Sequence, residues 1–119
     1  MIKQLKFVGI PTRDQDAALA FWTTQMGFEI ATDQPMGAQR WIELRIPGAQ
    51  TGIVLFTPDG HEDRIGSFFN GSFQCDDVDY TYRQLLERGV DISAPEKQPW
   101  GAFARFRDPD GNSFILASR

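Results

Sequence analysis

The chain has 119 residues, of which 41% are hydrophobic and 13% aromatic, and its formal net charge is −4 with an isoelectric point near 4.8. A chain of this length normally forms one domain, and so many apolar residues can build a core, which excludes an intrinsically disordered protein. The acidic balance disfavours a nucleic-acid partner, and no apolar run approaches the roughly 20 residues that span a bilayer, so we expect neither nucleic acid nor a membrane as a partner.

The first half of the sequence predicts a strand, a helix and three further strands. The strand LKFVGI is bounded by Pro11. Asp14 and Asp16 then stand at the start of a helix, where they can cap free amides, and Gly27 ends it. The helix has one apolar stripe, formed by Ala18, Phe21, Trp22 and Met26. The three following strands are FEIATD, QRWIELRI and TGIVLFT.

The same order returns after a polar connector, PDGHEDRIGS. FNGSFQC is a strand, DDVDYTYRQLLERG is a helix, and VDISAP, AFARFRD and SFILAS are three more strands, the first of them poorly defined. Asp77 follows Asp14 by 63 residues, whereas Gly89 follows Gly27 by 62. The two halves are therefore an internal repeat, and the helix of the first copy is one residue longer.

This repeat predicts an α+β fold, a single domain over 1–119 with two βαβββ modules. The first module spans 1–58, the connector 59–67 and the second module 68–119. We expect the modules to meet edge to edge in one curled mixed sheet, with the helices outside. The concave inner surface of such a sheet is the natural place for a ligand.

The paired modules resemble the vicinal oxygen chelate superfamily, which includes glyoxalases, extradiol dioxygenases, fosfomycin-resistance thiol transferases and bleomycin-resistance proteins. The resemblance covers essentially the whole chain and rests on RDQDAALAFWTTQMGFEI, DDVDYTYRQLLERGVDI and QPWGAFARFRDPDGNSFIL. Within the last segment, the turn DPDGN is the most specific motif because it falls at the end of the repeat. At this length the resemblance also implies a homodimer, often with each cavity composed from two chains.

The resemblance further implies four metal-ligand positions, on the first and fourth strands of each module. Here they are occupied by Phe7, Ile53 or Leu55, Asn70 and Ile115. Divalent ions of this class need nitrogen or oxygen donors, and only Asn70 offers one, a weak carbonyl oxygen. The single histidine, His61, lies in the connector. We therefore predict no metal and no cofactor.

Alternation along the strands instead predicts a ligand site of aromatic, charged and amide side chains. The candidate ligand-binding residues are Phe7, Trp41, Glu43, Arg45, Asn70, Ser72, Gln74, Trp100, Phe103, Arg105 and Arg107. Such a set suits a planar or amphipathic small molecule, through stacking, cation–π contacts and oriented hydrogen bonds. The alternative is that the charged residues form ordinary ion pairs across exposed strands, and that the tryptophans serve packing or a subunit interface.

The single cysteine, Cys75, excludes an intrachain disulfide and is typical of a reducing cytoplasm, where we expect the protein to work. It is either a reactive thiol or, more simply, a small buried apolar group.

Three functions are compatible with this sequence. The leading hypothesis is a metal-free protein that binds a small molecule, similar in design to bleomycin-resistance proteins. The second is a lyase or isomerase of the glyoxalase type, possibly metal-independent, with Glu43 as the catalytic base, since a carboxylate in a partly apolar cup can have its pKa raised toward neutrality. The third is a structural or regulatory domain whose cavity is closed by side chains.

Overall fold

The computed structural model describes residues 1–67 and 70–118; the side chain of Asn70 also lies outside the described part. The strands are β1 (Phe7–Pro11), β2 (Glu29–Met36), β3 (Gln39–Arg45), β4 (Gly52–Phe56), β5 (Asn70–Gln74), β6 (Asp91–Ile92), β7 (Glu96–Gln98), β8 (Gly101–Arg107) and β9 (Ser113–Ser118). The helices are α1 (Gln15–Ala20), a π-helical turn that continues it (Phe21–Gln25), a 3-10 turn (Glu62–Arg64) and α2 (Val78–Glu87).

The strands form two mixed sheets, which confirms the α+β class. Sheet A has the order β1-β4-β3-β2, and sheet B has the order β5-β9-β8-β6, with β7 also paired to β8. The β1/β4 and β5/β9 pairs are parallel, and the other pairs are antiparallel. The third strand of the second half, which its sequence defines poorly, is split into β6 and β7. The pairings of the described residues keep the two sheets separate, instead of the one continuous curled sheet that we expected.

Both helices begin and end as the sequence predicts. The carboxylate of Asp14 accepts a hydrogen bond from the backbone N–H of Ala17, and the carboxylate of Asp77 accepts one from Tyr80. An aspartate at this position satisfies amides that have no partner inside the helix. At the end of the first helix, Gly27 has a φ of 81°, a left-handed conformation that glycine adopts at little cost.

The extra residue of the first helix is absorbed by the π-helical turn. Within it the backbone N–H of Met26 bonds to the carbonyl of Phe21, five residues back. A π turn accommodates one inserted residue in an α-helix without ending it. The turn explains why the spacing between cap and glycine is one residue longer in the first copy of the repeat.

Trp22 joins the two halves of the chain into one core. It is fully buried on the π turn, and its ring contacts Phe73, Phe106 and Phe114 of sheet B at centroid distances of 5.7, 6.3 and 5.2 Å. The helix-facing sides of both sheets belong to the same cluster of buried residues. The first helix therefore packs against both sheets through Trp22, and the opposite faces of the two sheets point away from the shared core.

The turn between β8 and β9 fastens the second half of the chain to the first. Asn112 is 1% exposed, and its amide donates hydrogen bonds to the carbonyl of Pro11 at 2.8 Å and to Asp108 at 2.9 Å. Its side-chain oxygen accepts the backbone N–H of Gly66 at 2.9 Å. One buried side chain thus bonds to β1, to the connector and to its own turn.

Asp110 of the same turn makes a second set of bonds to the first half. Its carboxylate accepts the hydroxyl of Thr12 at 2.5 Å and the backbone N–H of Arg13 at 2.9 Å. We call Asp108, Asp110 and Asn112 the inter-module clamp. The clamp gives the DPDGN motif a structural role, because it holds the start of the first helix against sheet B.

The longest described helix, α2, has ten residues, and none of the described helices is long and apolar enough to cross a membrane.

Candidate functional site

The face of sheet A that points away from the core, called here the open face of sheet A, is built from four neighbouring strands. Cross-strand pairing places Gly9 opposite Val54, Val54 opposite Glu43, and Glu43 opposite Thr32. Residues two apart on one strand share a face. The open face therefore carries Phe7, Gly9, Trp41, Glu43, Arg45, Val54 and Phe56.

Three aromatic rings dominate this face. The rings of Phe7 and Trp41 meet edge to face, with centroids 5.6 Å apart. The ring of Phe56 lies over Gly9, where an added Cβ would come within 2.9 Å of it. These side chains line a cavity of about 330 Å³, together with Met36 and others. The sequence analysis missed Phe56, although a glycine inside a strand commonly marks such a close approach.

The two charged candidates of sheet A have different surroundings. Glu43 is half-buried between the strands that carry the rings. Arg45 is exposed at the edge of the face and forms an ion pair with Glu29 of β2 at 3.3 Å. Such an exposed pair contributes little to stability because water screens it. The contacts of Arg45 therefore support the interpretation that it forms an ordinary ion pair.

The register of β4 corrects one expectation about the metal-ligand positions. Ile53 and Leu55 pair with Leu44 and Ile42, and all four belong to the buried core. The residue of β4 that shares the open face with Phe7 is Val54. We expected Ile53 or Leu55 there because the sequence is apolar at every position of this strand.

The residues at these positions do not fit a metal ion. Phe7, Val54 and Ile115 have hydrocarbon side chains without a nitrogen or oxygen donor, and the side chain of Asn70 lies outside the described part. In the described part of the chain, no three His, Cys, Asp or Glu side chains are grouped so that they could hold a metal ion. We therefore derive no chemistry through a metal.

The open face of sheet B, which points away from the core in the same way, carries a second aromatic group. Trp100 and Phe103 stack with centroids 6.2 Å apart and planes inclined by 15°. The guanidinium carbon of Arg105 lies 5.8 Å from the Phe103 centroid, within cation–π range. Arg107 is exposed on the same face, two residues along β8. The structure thus brings together the predicted residues Trp100, Phe103 and Arg105, and Arg107 lies beside them.

Ser72 and Gln74 lie on β5 and are exposed. They line a different cavity, of about 540 Å³, which also has Val8 of β1 in its wall and contains none of the rings of sheet A. Cys75 borders this cavity, and burial raises the pKa of its thiol. The thiol therefore stays protonated near neutral pH, which agrees with a small apolar group and not with a reactive one. Within one chain, the predicted residues of the two sheets are not brought together.

Comparison with known proteins gives consistent matches over nearly the whole chain. The family model of the Glyoxalase/Bleomycin resistance protein/Dioxygenase superfamily matches residues 4–116. The protein YetH of Bacillus subtilis strain 168 is 38% identical over 121 residues, which cover 98% of both chains. The solved structure of TnmS3, an antibiotic binding protein from Streptomyces sp. CB03234, is 36% identical, with a TM-score of 0.87 over 98% of this chain and 96% of that one. A superfamily member from Sphaerobacter thermophilus is 35% identical, with a TM-score of 0.86 over 99% and 98% of the two chains.

Proposed function

Because this chain belongs to the Glyoxalase/Bleomycin resistance protein/Dioxygenase superfamily, we propose that it binds a small organic molecule without the help of a metal ion. The observation that carries this proposal is the ring cluster on the open face of sheet A. Phe7, Trp41 and Phe56 surround a cavity where relatives that use a metal would need donor atoms. Aromatic rings bind flat ligands by stacking and by burying apolar surface.

We further propose that two chains compose each binding cavity. The open faces of sheets A and B point away from one shared core, and the cavity beside the ring cluster of sheet A does not include the rings of Trp100 and Phe103. In the described part of the chain, the cavity on sheet A is lined only by residues of the first half. A homodimer that sets the open face of sheet A against the open face of sheet B of a second copy would close this cavity.

The similarity to TnmS3 supports the proposal that this chain binds a small organic molecule. TnmS3 is an antibiotic binding protein, and it matches this chain in both sequence and fold over nearly its full length. Open cavities of about 330 and 540 Å³ argue against a domain whose cavity is filled by its own side chains. The aromatic lining of the cavity favours ligands that have a flat apolar part.

The test is a calorimetric titration of the dialysed protein with a neutral flat probe, naphthamide, followed by a wider panel of aromatic metabolites and antibiotics. We expect binding that is unchanged by a chelator. Trp41→Ala should weaken it about tenfold or more, because a stacking surface is lost. Tyr80→Ala removes an exposed aromatic side chain of α2 that does not line the cavity on sheet A, and is the matched control. If no aromatic probe binds, or if binding needs added metal, the proposal is wrong.

Glu43 supports a second candidate function, a metal-independent lyase or isomerase of the glyoxalase type. Its carboxylate is half-buried on the face that carries the rings, within the site where a bound ligand would lie. A positioned carboxylate can remove a proton from a carbon beside a carbonyl group. This candidate requires turnover that survives a chelator and disappears in Glu43→Gln while the ligand still binds. Turnover that persists in Glu43→Gln would exclude this role.

A further inference from the structure

Arg105 occupies the centre of the open face of sheet B, beside the second ring group. Its guanidinium lies against the ring of Phe103, and that ring in turn stacks on Trp100. Trp100 is 55% exposed, so a face of its indole is accessible to a ligand. Phe103 thus contacts both an exposed indole and a guanidinium.

The guanidinium of Arg105 is held in place but has no anionic partner. The backbone of Arg105 is held by two hydrogen bonds to Ser93, whose N–H donates to the Arg105 carbonyl at 2.8 Å and whose hydroxyl accepts the Arg105 N–H at 3.1 Å. Its neighbour across the β8/β9 pair is the aliphatic Ile115. Among the residues that the structure describes, none accepts a hydrogen bond or forms an ion pair with the Arg105 guanidinium.

The two arginines of this face differ in the residues that lie directly across the strand pairs from them. Arg107 lies directly opposite Asp91 of β6, and Glu96 of β7 lies opposite Phe103. The charge of Arg107 is therefore partly offset by a carboxylate across the strand pair, whereas no carboxylate lies opposite Arg105. Arg105 is thus the arginine of this face that contacts the ring group and has no carboxylate directly opposite it.

Resting on the proposed function, we infer that the ligand is an aromatic molecule that carries an acidic group, such as a carboxylate or phenolate, and that Arg105 binds this group. The flat guanidinium presents its donors in a fork that matches a carboxylate, and a bond between two charged groups is stronger than a neutral one. The ring of the ligand stacks on Trp100 while its acidic group meets the guanidinium. The open face of sheet A, with Glu43 among its rings, forms the opposite wall of the cavity.

The experiment compares three probes that share one ring system and differ in charge: naphthoate, naphthamide and naphthylmethylamine. Calorimetric titration of the intact protein should give naphthoate an affinity about tenfold higher than that of naphthamide, since a hydrogen bond to a charged group is worth that much. The cationic amine should bind more weakly than either. In Arg105→Gln the preference for naphthoate over naphthamide should disappear.

Arg107→Gln is the matched control, because it removes the same charge from the same strand and face. We expect it to reduce the preference for naphthoate by less than threefold, since Asp91 already offsets this charge. The inference is wrong if naphthamide or the amine binds as tightly as naphthoate, if Arg105→Gln keeps the preference, or if Arg107→Gln alone removes it. If neither these three probes nor any member of the wider aromatic panel binds, the proposed function itself fails.

Discussion

Gly9 determines the shape of the ring cluster, because the ring of Phe56 occupies the space where a side chain would be. A Cβ at this position would lie 2.9 Å from the ring, closer than nonbonded carbon atoms approach. We predict that Gly9→Ala displaces the Phe56 ring, destabilises the protein by about 1 kcal/mol or more, and weakens the binding of naphthamide. Urea unfolding and calorimetry measure the two effects.

A double-mutant cycle separates the steric cause from any effect on the strand itself. If the added methyl group acts through a steric clash with the ring, Gly9→Ala should lower the free energy of unfolding by nearly zero in a Phe56→Ala background. An equal loss of stability on Gly9→Ala in both backgrounds would show that a clash with the Phe56 ring does not cause it.

Asp108 makes the stability of the inter-module clamp depend on pH. Burial raises the pKa of its carboxyl above the ordinary value of 3.8, against the opposing effect of hydrogen bonds from Asn112. The folded protein therefore holds this proton more tightly than the unfolded chain does. As a result, the contribution of Asp108 to stability falls as the pH rises from about 3.8 through the raised pKa, and is constant above it.

Asp108→Asn removes this titration, so the comparison of the two proteins isolates it. We predict that the stability of the wild type relative to Asp108→Asn decreases as the pH rises from about 3.8 through the raised pKa of the carboxyl. Urea unfolding at a series of pH values gives this difference. A difference that is flat or that rises with pH would contradict the assignment.

Among the elements, the turn between β8 and β9 has the most specific structural role. Truncation of Asn112 to alanine removes three hydrogen bonds and leaves the buried carbonyl of Pro11 and the half-buried amide of Gly66 without this partner. We predict a loss of about 3 kcal/mol in the free energy of unfolding, because buried polar groups without partners are costly. Gln34→Ala, on the exposed edge strand β2, is the control and should change stability by less than about 0.5 kcal/mol. A clamp variant that is as stable as the control would exclude this role.

The elements that could be predicted from the sequence are those with a local signal. The aspartate caps, the glycine ends and the extra residue of the first helix all follow from residue type and spacing. The faces of β3 follow from alternation, since Ile42 and Leu44 are buried while Trp41 and Glu43 are not. β4 has no such signal: Ile53, Val54 and Leu55 are all apolar and all buried, so its register could not be read.

For the whole molecule, the arrangement of the two halves depends on contacts between residues far apart in the sequence. The apolar stripe predicts that Trp22 is buried, but nothing local indicates that it packs on Phe106 and Phe114 of the other half. For the same reason, the sequence could place Trp41 and Phe103 on the faces of their own strands but could not decide whether they meet. In our proposal they line one cavity only when two copies of the chain associate.

The most direct test of the account is native mass spectrometry of the purified protein with naphthoate, before and after treatment with a chelator. One spectrum gives the number of chains, the bound ligand and any metal, because each adds its own mass. We predict a species of twice the 13.5 kDa chain mass that carries the ligand, with no metal ion and no change after the chelator. A monomer that binds the ligand, or a complex that loses the ligand when a metal is removed, would contradict the account.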